Sequence, residues 1–254
     1  MIAIALQSGS NGNCIYVESG ETRLLFDAGI SGVRAERRLA ASGRDIRAAE
    51  ALILSHDHAD HVRCAGVYQR KFGLPLYVSK ATLAAARRYD LGMLTDVRHF
   101  VPGETLTFGR VIVETIPTPH DGVDGSAFVI EAERRRLGIL TDLGCVFREL
   151  PRVVASLDAV LIESNYDPAM LTAGPYARSL KERIRGTGGH LSNVEAAELL
   201  RDCAPRRLKW ACLSHLSAQN NSPDLALRTH KETISRRVAL FAASRHEAVV
   251  LPDL

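Results

Sequence analysis

Three of the nine histidines in this 254-residue chain fall within six positions, in the string His56-Asp57-His58-Ala59-Asp60-His61. The apolar run Ala51–Leu54 leads straight into it. That run predicts a strand, so the cluster sits on a strand-to-helix turn, where side chains two and three positions apart can converge on one centre. A regular strand alternates its side chains between two faces, and a regular helix spreads them around its axis. Neutral imidazoles with an ionised carboxylate at this spacing suit zinc or manganese. A helix cap would account for Asp57 or Asp60, but for none of the histidines.

The rest of the chain alternates short elements. Ile2–Leu6, Cys14–Glu18 and Thr22–Phe26 read as strands, and Val33–Ala41 as a helix. His61–Phe72 reads as a helix, with Val62, Ala65, Val67 and Tyr68 on its apolar face. Pro75–Val78 is a predicted strand, Ala81–Arg88 a helix, and Thr105–Phe108 with Val111–Thr118 a hairpin. Strands Ala127–Ala132 and Leu137–Thr141 follow, then a helix near Phe147–Ser156 and strand Asp158–Glu163. Helices Tyr176–Arg185 and Val194–Cys203 precede strand Leu208–Leu213, helix Pro223–Ser235 and a final strand pair. A β-rich half followed by a β-then-helix half predicts an α/β (α+β) αββα four-layer sandwich, one domain over residues 1–254.

The HxHxDH string after an apolar strand resembles the signature of the metallo-β-lactamase superfamily, and Phe26-Asp27-Ala28-Gly29 resembles its first motif. The resemblance implies a His, an Asp and a His further along, each closing a strand. His120, Asp142 and His215 stand there in that order. It further implies two divalent ions, Mn(II) or Zn(II). One would be held by His56, His58 and His120, the other by Asp60, His61 and His215, with Asp142 bridging. Asp27 would brace the histidine loop by hydrogen bonds.

Two further strings narrow the chemistry. Glu163-Ser164-Asn165 follows the apolar run Ala159–Ile162, and Gly189-His190-Leu191-Ser192-Asn193 precedes a predicted helix. They resemble elements of the superfamily's nuclease branch, which implies catalytic roles for Glu163 and His190, while Asp60 would help to orient or deprotonate the attacking water. Two metals can activate a water, yet a departing alkoxide still needs a proton. A Glu bonded to one nitrogen of His190 would supply an oriented acid. Only 22 positions separate His120 from Asp142, too few for the arm of many transfer-RNA-processing relatives. Only 27 separate Glu163 from His190, which leaves no room for a β-CASP insertion.

The chain resembles most the compact YycJ/WalJ-like family of bacteria. The likeness is carried by Ser8-Gly9-Ser10-Asn11-Gly12-Asn13-Cys14, Thr141-Asp142-Leu143-Gly144, Glu163-Ser164-Asn165-Tyr166-Asp167, Gly174-Pro175-Tyr176, Gly189–Asn193 and His215-Leu216-Ser217-Ala218-Gln219-Asn220-Asn221. It implies a metal-dependent 5'-to-3' DNA exonuclease with a role in DNA repair. An RNA-processing nuclease, or a hydrolase of the glyoxalase II or lactonase sort, are the alternatives on the same fold. A scaffolding protein is disfavoured by seven intact ligand positions.

For the phosphate backbone the candidates are Lys181, Arg183 and Arg185, with Ser8, Asn11, Ser217 and Asn220 in polar loops that would receive a terminal phosphate. A net charge of +3 tolerates an anionic partner without demanding one. Nucleic acid, DNA ahead of RNA, is the expected partner. Five cysteines, odd in number and without a CxxC pair, read as buried thiols of a reducing compartment. The N-terminus has no basic leader, and no apolar run nears the roughly 20 residues that span a bilayer. The expected location is therefore the cytoplasm.

Overall fold

The computed structural model describes residues 1–234 and 238–254, so the expected end of the last helix at Ser235 lies outside the described residues. Two compact units are present. One comprises Met1–Pro117, Gly122–Ser126 and Ser244–Asp253, and the other Thr118–Asp121, Ala127–Ala243 and Leu254.

The first unit holds a sheet of β1 (Ile2–Gln7), β2 (Cys14–Ser19), β3 (Thr22–Phe26), β4 (Ala51–Ile53), β5 (Leu76–Val78), β6 (Val97–His99) and, from the far end of the chain, β14 (Val249–Val250). Their order is β14-β1-β2-β3-β4-β5-β6. Pairing is antiparallel as far as β3 and parallel from β3 to β6. The parallel strands are uninterrupted apolar runs because both faces are covered: β4 is Ala-Leu-Ile, all buried. By contrast, the hairpin of β7 (Thr105–Phe108) and β8 (Val111–Pro117) alternates, with Val111, Val113 and Thr115 buried and Ile112 exposed. Helices α1 (Gly32–Ala40) and α3 (Ala65–Phe72) bury Ala35, Leu39, Tyr68 and Phe72 in one core with Leu6, Tyr16, Leu25 and Leu52. Ser31 and Ser79 cap α1 and α4 (Lys80–Ala86) through their side chains.

The second unit contains β9 (Ser126–Ala132), β10 (Arg135–Leu140), β11 (Ala159–Glu163), β12 (Trp210–Ser214) and β13 (Ala239–Ala242). β9 is antiparallel to β10, and β10 through β13 run parallel. Every residue of β11 and β12 is buried. Around them lie α5 (Leu150–Ala155), α6 (Pro168–Ala173), α7 (Arg178–Arg185), α8 (Asn193–Cys203) and α9 (Pro223–Thr233). A capping box between Ser192 and Glu195 starts α8 and contributes about 1 kcal/mol.

Several expectations are corrected. The helix read over His61–Phe72 is two helices, α2 (Ala59–Val62) and α3. The break has a long-range cause: Ala28 N–H donates to His61 O, and Cys64 N–H donates to Ala28 O. The final two strands do not pair with each other. β13 joins β12, and β14 joins β1. Strand β6 and helix α6 were not expected. The cysteines form no disulfide, but only Cys14 and Cys212 are buried.

Candidate active site

Functional side chains collect where parallel strands end, the position at which open α/β sheets place their chemistry. In the first unit, β3 runs into Asp27 and β4 into Ser55 and the histidine loop. In the second, three adjacent strands lead to Asp142, Glu163 and His215. Asp27, Asp142 and His215 all have left-handed backbone, with φ of 64°, 54° and 56°. That region is uncommon outside glycine, and Asp and His are among the residues that tolerate it best. The reversal turns the chain sharply as each strand finishes.

The first unit packs its ligand candidates tightly. The His56 ring centroid lies 4.6 Å from that of His58 and 4.2 Å from that of His61. His61 Nδ1 stands 2.7 Å from Asp27 Oδ2, and Asp27 Oδ1 accepts the Ser55 backbone N–H at 2.8 Å. Ser55 Oγ touches both Asp27 oxygens and lies 2.9 Å from His56 Nδ1. Asp27 and Ser55 thus hold the Nδ1 nitrogens of two imidazoles. Asp57 Oδ1 accepts the Val123 N–H at 2.7 Å and Asp57 pairs with Arg88. Where Gly122 stands, a Cβ would meet the His56 ring at 2.4 Å.

In the second unit, Asp142 Oδ1 lies 3.6 Å from His120 Nε2, 3.6 Å from His215 Nε2 and 3.6 Å from His190 Nδ1. His120 turns its other nitrogen to Gly189 O at 2.8 Å. Glu163 is fully buried. Its Oε2 accepts the Leu143 and Leu191 N–H groups, and its Oε1 lies 2.6 Å from His190 Nδ1. His190 keeps part of its ring exposed, so an oriented imidazole faces outward from a fixed carboxylate. Asn165 Nδ2 donates to His215 O at 2.7 Å and lies 3.1 Å from His215 Nδ1.

The donors of each unit fit a divalent cation. Ligand atoms about 2.0–2.2 Å from a tetrahedral ion stand about 3.4 Å apart. The 3.6 Å separations of Asp142 from His120 and His215, and of Asp60 Oδ2 from His61 Nε2, match that edge. Asp142, Glu163, His190 and His215 also bring four candidate donor atoms together, but Glu163 and His190 use theirs on each other.

Other expected contacts fall differently. Ser8, Ser217 and Asn220 are buried. Ser8 Oγ donates to Asn13 Oδ1, and Ser217 Oγ accepts the Asn220 N–H. Asn11 Nδ2 reaches Arg245 O at 3.4 Å. The His215–Asn221 loop is pinned by Asn221, whose Nδ2 bonds to Ser164 O, Asn165 O and Asn193 Oδ1. On α7, Lys181 and Arg185 bond to Thr172, whereas Arg183 pairs with Asp121 beside His120, and that carboxylate raises the guanidinium's pKa. Sequence reasoning passed over Asn13, Ser55, Asp121 and Asn165 as site residues. Asn13 and Asn165 lie inside motifs that carry the family likeness, whereas Ser55 and Asp121 are marked only by adjacency to a ligand candidate.

A family model described as the beta-lactamase superfamily domain matches residues 22–216. Among curated proteins, the exodeoxyribonuclease WalJ of Streptococcus pneumoniae is 37% identical over 227 residues, covering 88% of this chain and 84% of that protein. The exodeoxyribonuclease YycJ of Bacillus anthracis is 33% identical over 233 residues, covering 91% and 88%. Among solved structures, Zn(2+)-bound PqqB from Methylobacterium extorquens aligns over 100% of both chains, with a TM-score of 0.75 and 19% identity, a likeness of fold. The chain therefore belongs to the metallo-β-lactamase superfamily and, within it, to the family of the WalJ and YycJ exodeoxyribonucleases.

Proposed function

We propose that this protein is a metal-dependent nuclease that degrades DNA from the 5' end, working in the cytoplasm and in DNA repair. Family membership supports the reaction class. The observation that carries phosphodiester cleavage in particular is the 2.6 Å contact of buried Glu163 with part-exposed His190, whose ring lies next to Asp142.

The proposed holders of two divalent ions are His56, His58 and His120 for one and Asp60, His61 and His215 for the other, with Asp142 shared. Mn(II) or Zn(II) suits these donors. Such ions supply an activated water and neutralise charge on the phosphate oxygens. The chain's own residues do the rest. Asp60 orients the attacking water and takes its proton. Glu163 holds His190 Nδ1, so the proton that reaches the leaving oxygen comes from Nε2. Asp27 and Ser55 keep His61 and His56 aimed. Arg183, next to His120, offers a cation to the nucleic-acid backbone.

The test is degradation of 5'-phosphorylated and 5'-hydroxyl DNA, single- and double-stranded, beside RNA, with Mn(II) and Zn(II) supplied separately. The reading expects DNA to be shortened from its 5' end in a metal-dependent manner. Faster cleavage of transfer-RNA precursors at their 3' ends would overturn the DNA assignment.

A further inference from the structure

The glycine-rich loop Ser8–Asn13 has the composition of a phosphate cradle, yet four of its backbone donors are engaged within the protein. Ser8 N–H donates to Ser244 O, Gly9 N–H to Asn13 Oδ1, Gly12 N–H to Gly9 O and Asn13 N–H to Asp60 O. The last of these, at 2.7 Å, ties the loop to the ligand loop. Two glycines permit the approach. A Cβ on Gly29 would stand 1.7 Å from Asp60 O, and one on Gly12 2.4 Å from Gly29 O. At the point of contact is the buried amide of Asn13.

The orientation of that amide is determined by its neighbours. Gly9 N–H and Ser8 Oγ face Oδ1 at 2.9 and 3.1 Å. On the other side Gly9 O, Asp60 O and Asp60 Oδ2 stand 3.2, 3.4 and 3.3 Å from Nδ2. Reversing the amide would set an oxygen against three oxygens and an NH2 against a backbone N–H. Nδ2, which can only donate, therefore faces His61 Nε2 at 3.0 Å. His61 Nε2 must then be the accepting nitrogen. Its proton sits on Nδ1, where Asp27 Oδ2 receives it at 2.7 Å.

We propose that Asn13 is a positioning residue for the metal centre: its amide restrains the Asp60 carboxylate and, with Asp27, fixes His61 as the Nδ1–H tautomer whose Nε2 is ready for a metal. The proposal rests on the reading of Asp60 and His61 as metal ligands. The Asn13 amide nitrogen stands 3.0 Å from His61 Nε2 and 3.3 Å from Asp60 Oδ2, so one donor group spans the two proposed ligands. His61 Nε2 would be the nitrogen offered to an ion, with the Asn13 amide placed to restrain Asp60 Oδ2.

Two measurements test it. In metal-free, 15N-labelled wild-type protein at about pH 8, where imidazole is neutral, long-range 15N–1H correlation should show His61 as the Nδ1–H tautomer. An Nε2–H tautomer overturns the proposal without any variant. Asn13→Leu keeps the side-chain size and removes the donor. Its Mn(II) dissociation constant, read from the EPR signal of free Mn(II), should rise about 10- to 100-fold, the usual effect of losing a partner that orients a ligand. Ser8→Ala, which touches only the Oδ1 side, should stay within about threefold of wild type. Affinity of Asn13→Leu within about twofold of wild type overturns the proposal. Asp60→Ala and His61→Ala separate the two readings. Mn(II) binding lost in these two but kept in Asn13→Leu refutes the positioning role alone, whereas binding unchanged in all three refutes the ligand assignment beneath it.

Discussion

Glu163 and His190, 27 positions apart in the chain, meet across 2.6 Å between Oε1 and Nδ1. The second Glu163 oxygen accepts two backbone N–H groups, so both carboxylate oxygens are held and the ring, engaged through Nδ1, has Nε2 as its remaining nitrogen. An acid used in this way matters in proportion to how badly the leaving group needs its proton.

His190→Ala should therefore slow DNA cleavage by about 100- to 10,000-fold, while binding metal and DNA as wild type does. On bis(p-nitrophenyl) phosphate, whose leaving group needs little protonation, the loss should be much smaller. Glu163→Gln should give a milder version of the same pattern. Equal loss on both substrates, or loss of metal, would remove His190 from the role of acid.

The ligand candidates were legible because His and Asp are chemically distinctive and close predicted strands in a fixed order. His120, Asp142 and His215 needed only that order. What surrounds them was not legible, since its causes are distant in sequence. The break between α2 and α3 comes from Ala28, a loop residue with no signal of its own. Ser217 and Asn220 read as exposed polar loop, but Asn193 and Asn221 draw that segment inward. Asn13 reads as one more turn residue among glycines until Asp60 is found beside it. Strand β6 is short and mostly polar on its surface, which leaves little period to detect.

Metal content tests the shared role given to Asp142. Reconstituted wild-type protein should hold close to two equivalents by elemental analysis, and Asp142→Ala should lose metal from both positions, because one carboxylate serves both cations. A value of one equivalent with full activity would end the dinuclear reading.

Gly29 and Gly20 make a matched pair for the packing argument. Gly20 has φ of 59° and open space around it, so Gly20→Ala meets only backbone strain, about 1–2 kcal/mol. Gly29→Ala would drive a methyl into the Asp60 carbonyl, so the ligand loop must move. Urea unfolding should show a modest loss for Gly20→Ala with unchanged metal affinity. Gly29→Ala should lose both stability and metal, and retention of wild-type affinity there would show that the loops do not depend on this contact.

His230 is fully buried in α9 and lies 2.9 Å through Nδ1 from Ala226 O. Burial pulls its pKa down to about 4, against a lesser opposing effect of that carbonyl. The unfolded chain would take up a proton near the ordinary 6.5, the folded one only near 4. Between those values the unfolded state binds more protons, so stability rises with pH. It is fully present above about 6.5 and is lost as the pH falls toward 4, at about 1.4 kcal/mol per unit. From pH 6.5 to 5 the contribution is about 2 kcal/mol. His230→Leu removes the titrating group while keeping the site apolar, so its urea midpoint should fall less over that interval than that of wild type. Both proteins must be measured with a chelator present, because acid also strips metal from imidazole ligands. Identical pH dependence in the two proteins would show that the buried imidazole does not govern acid stability.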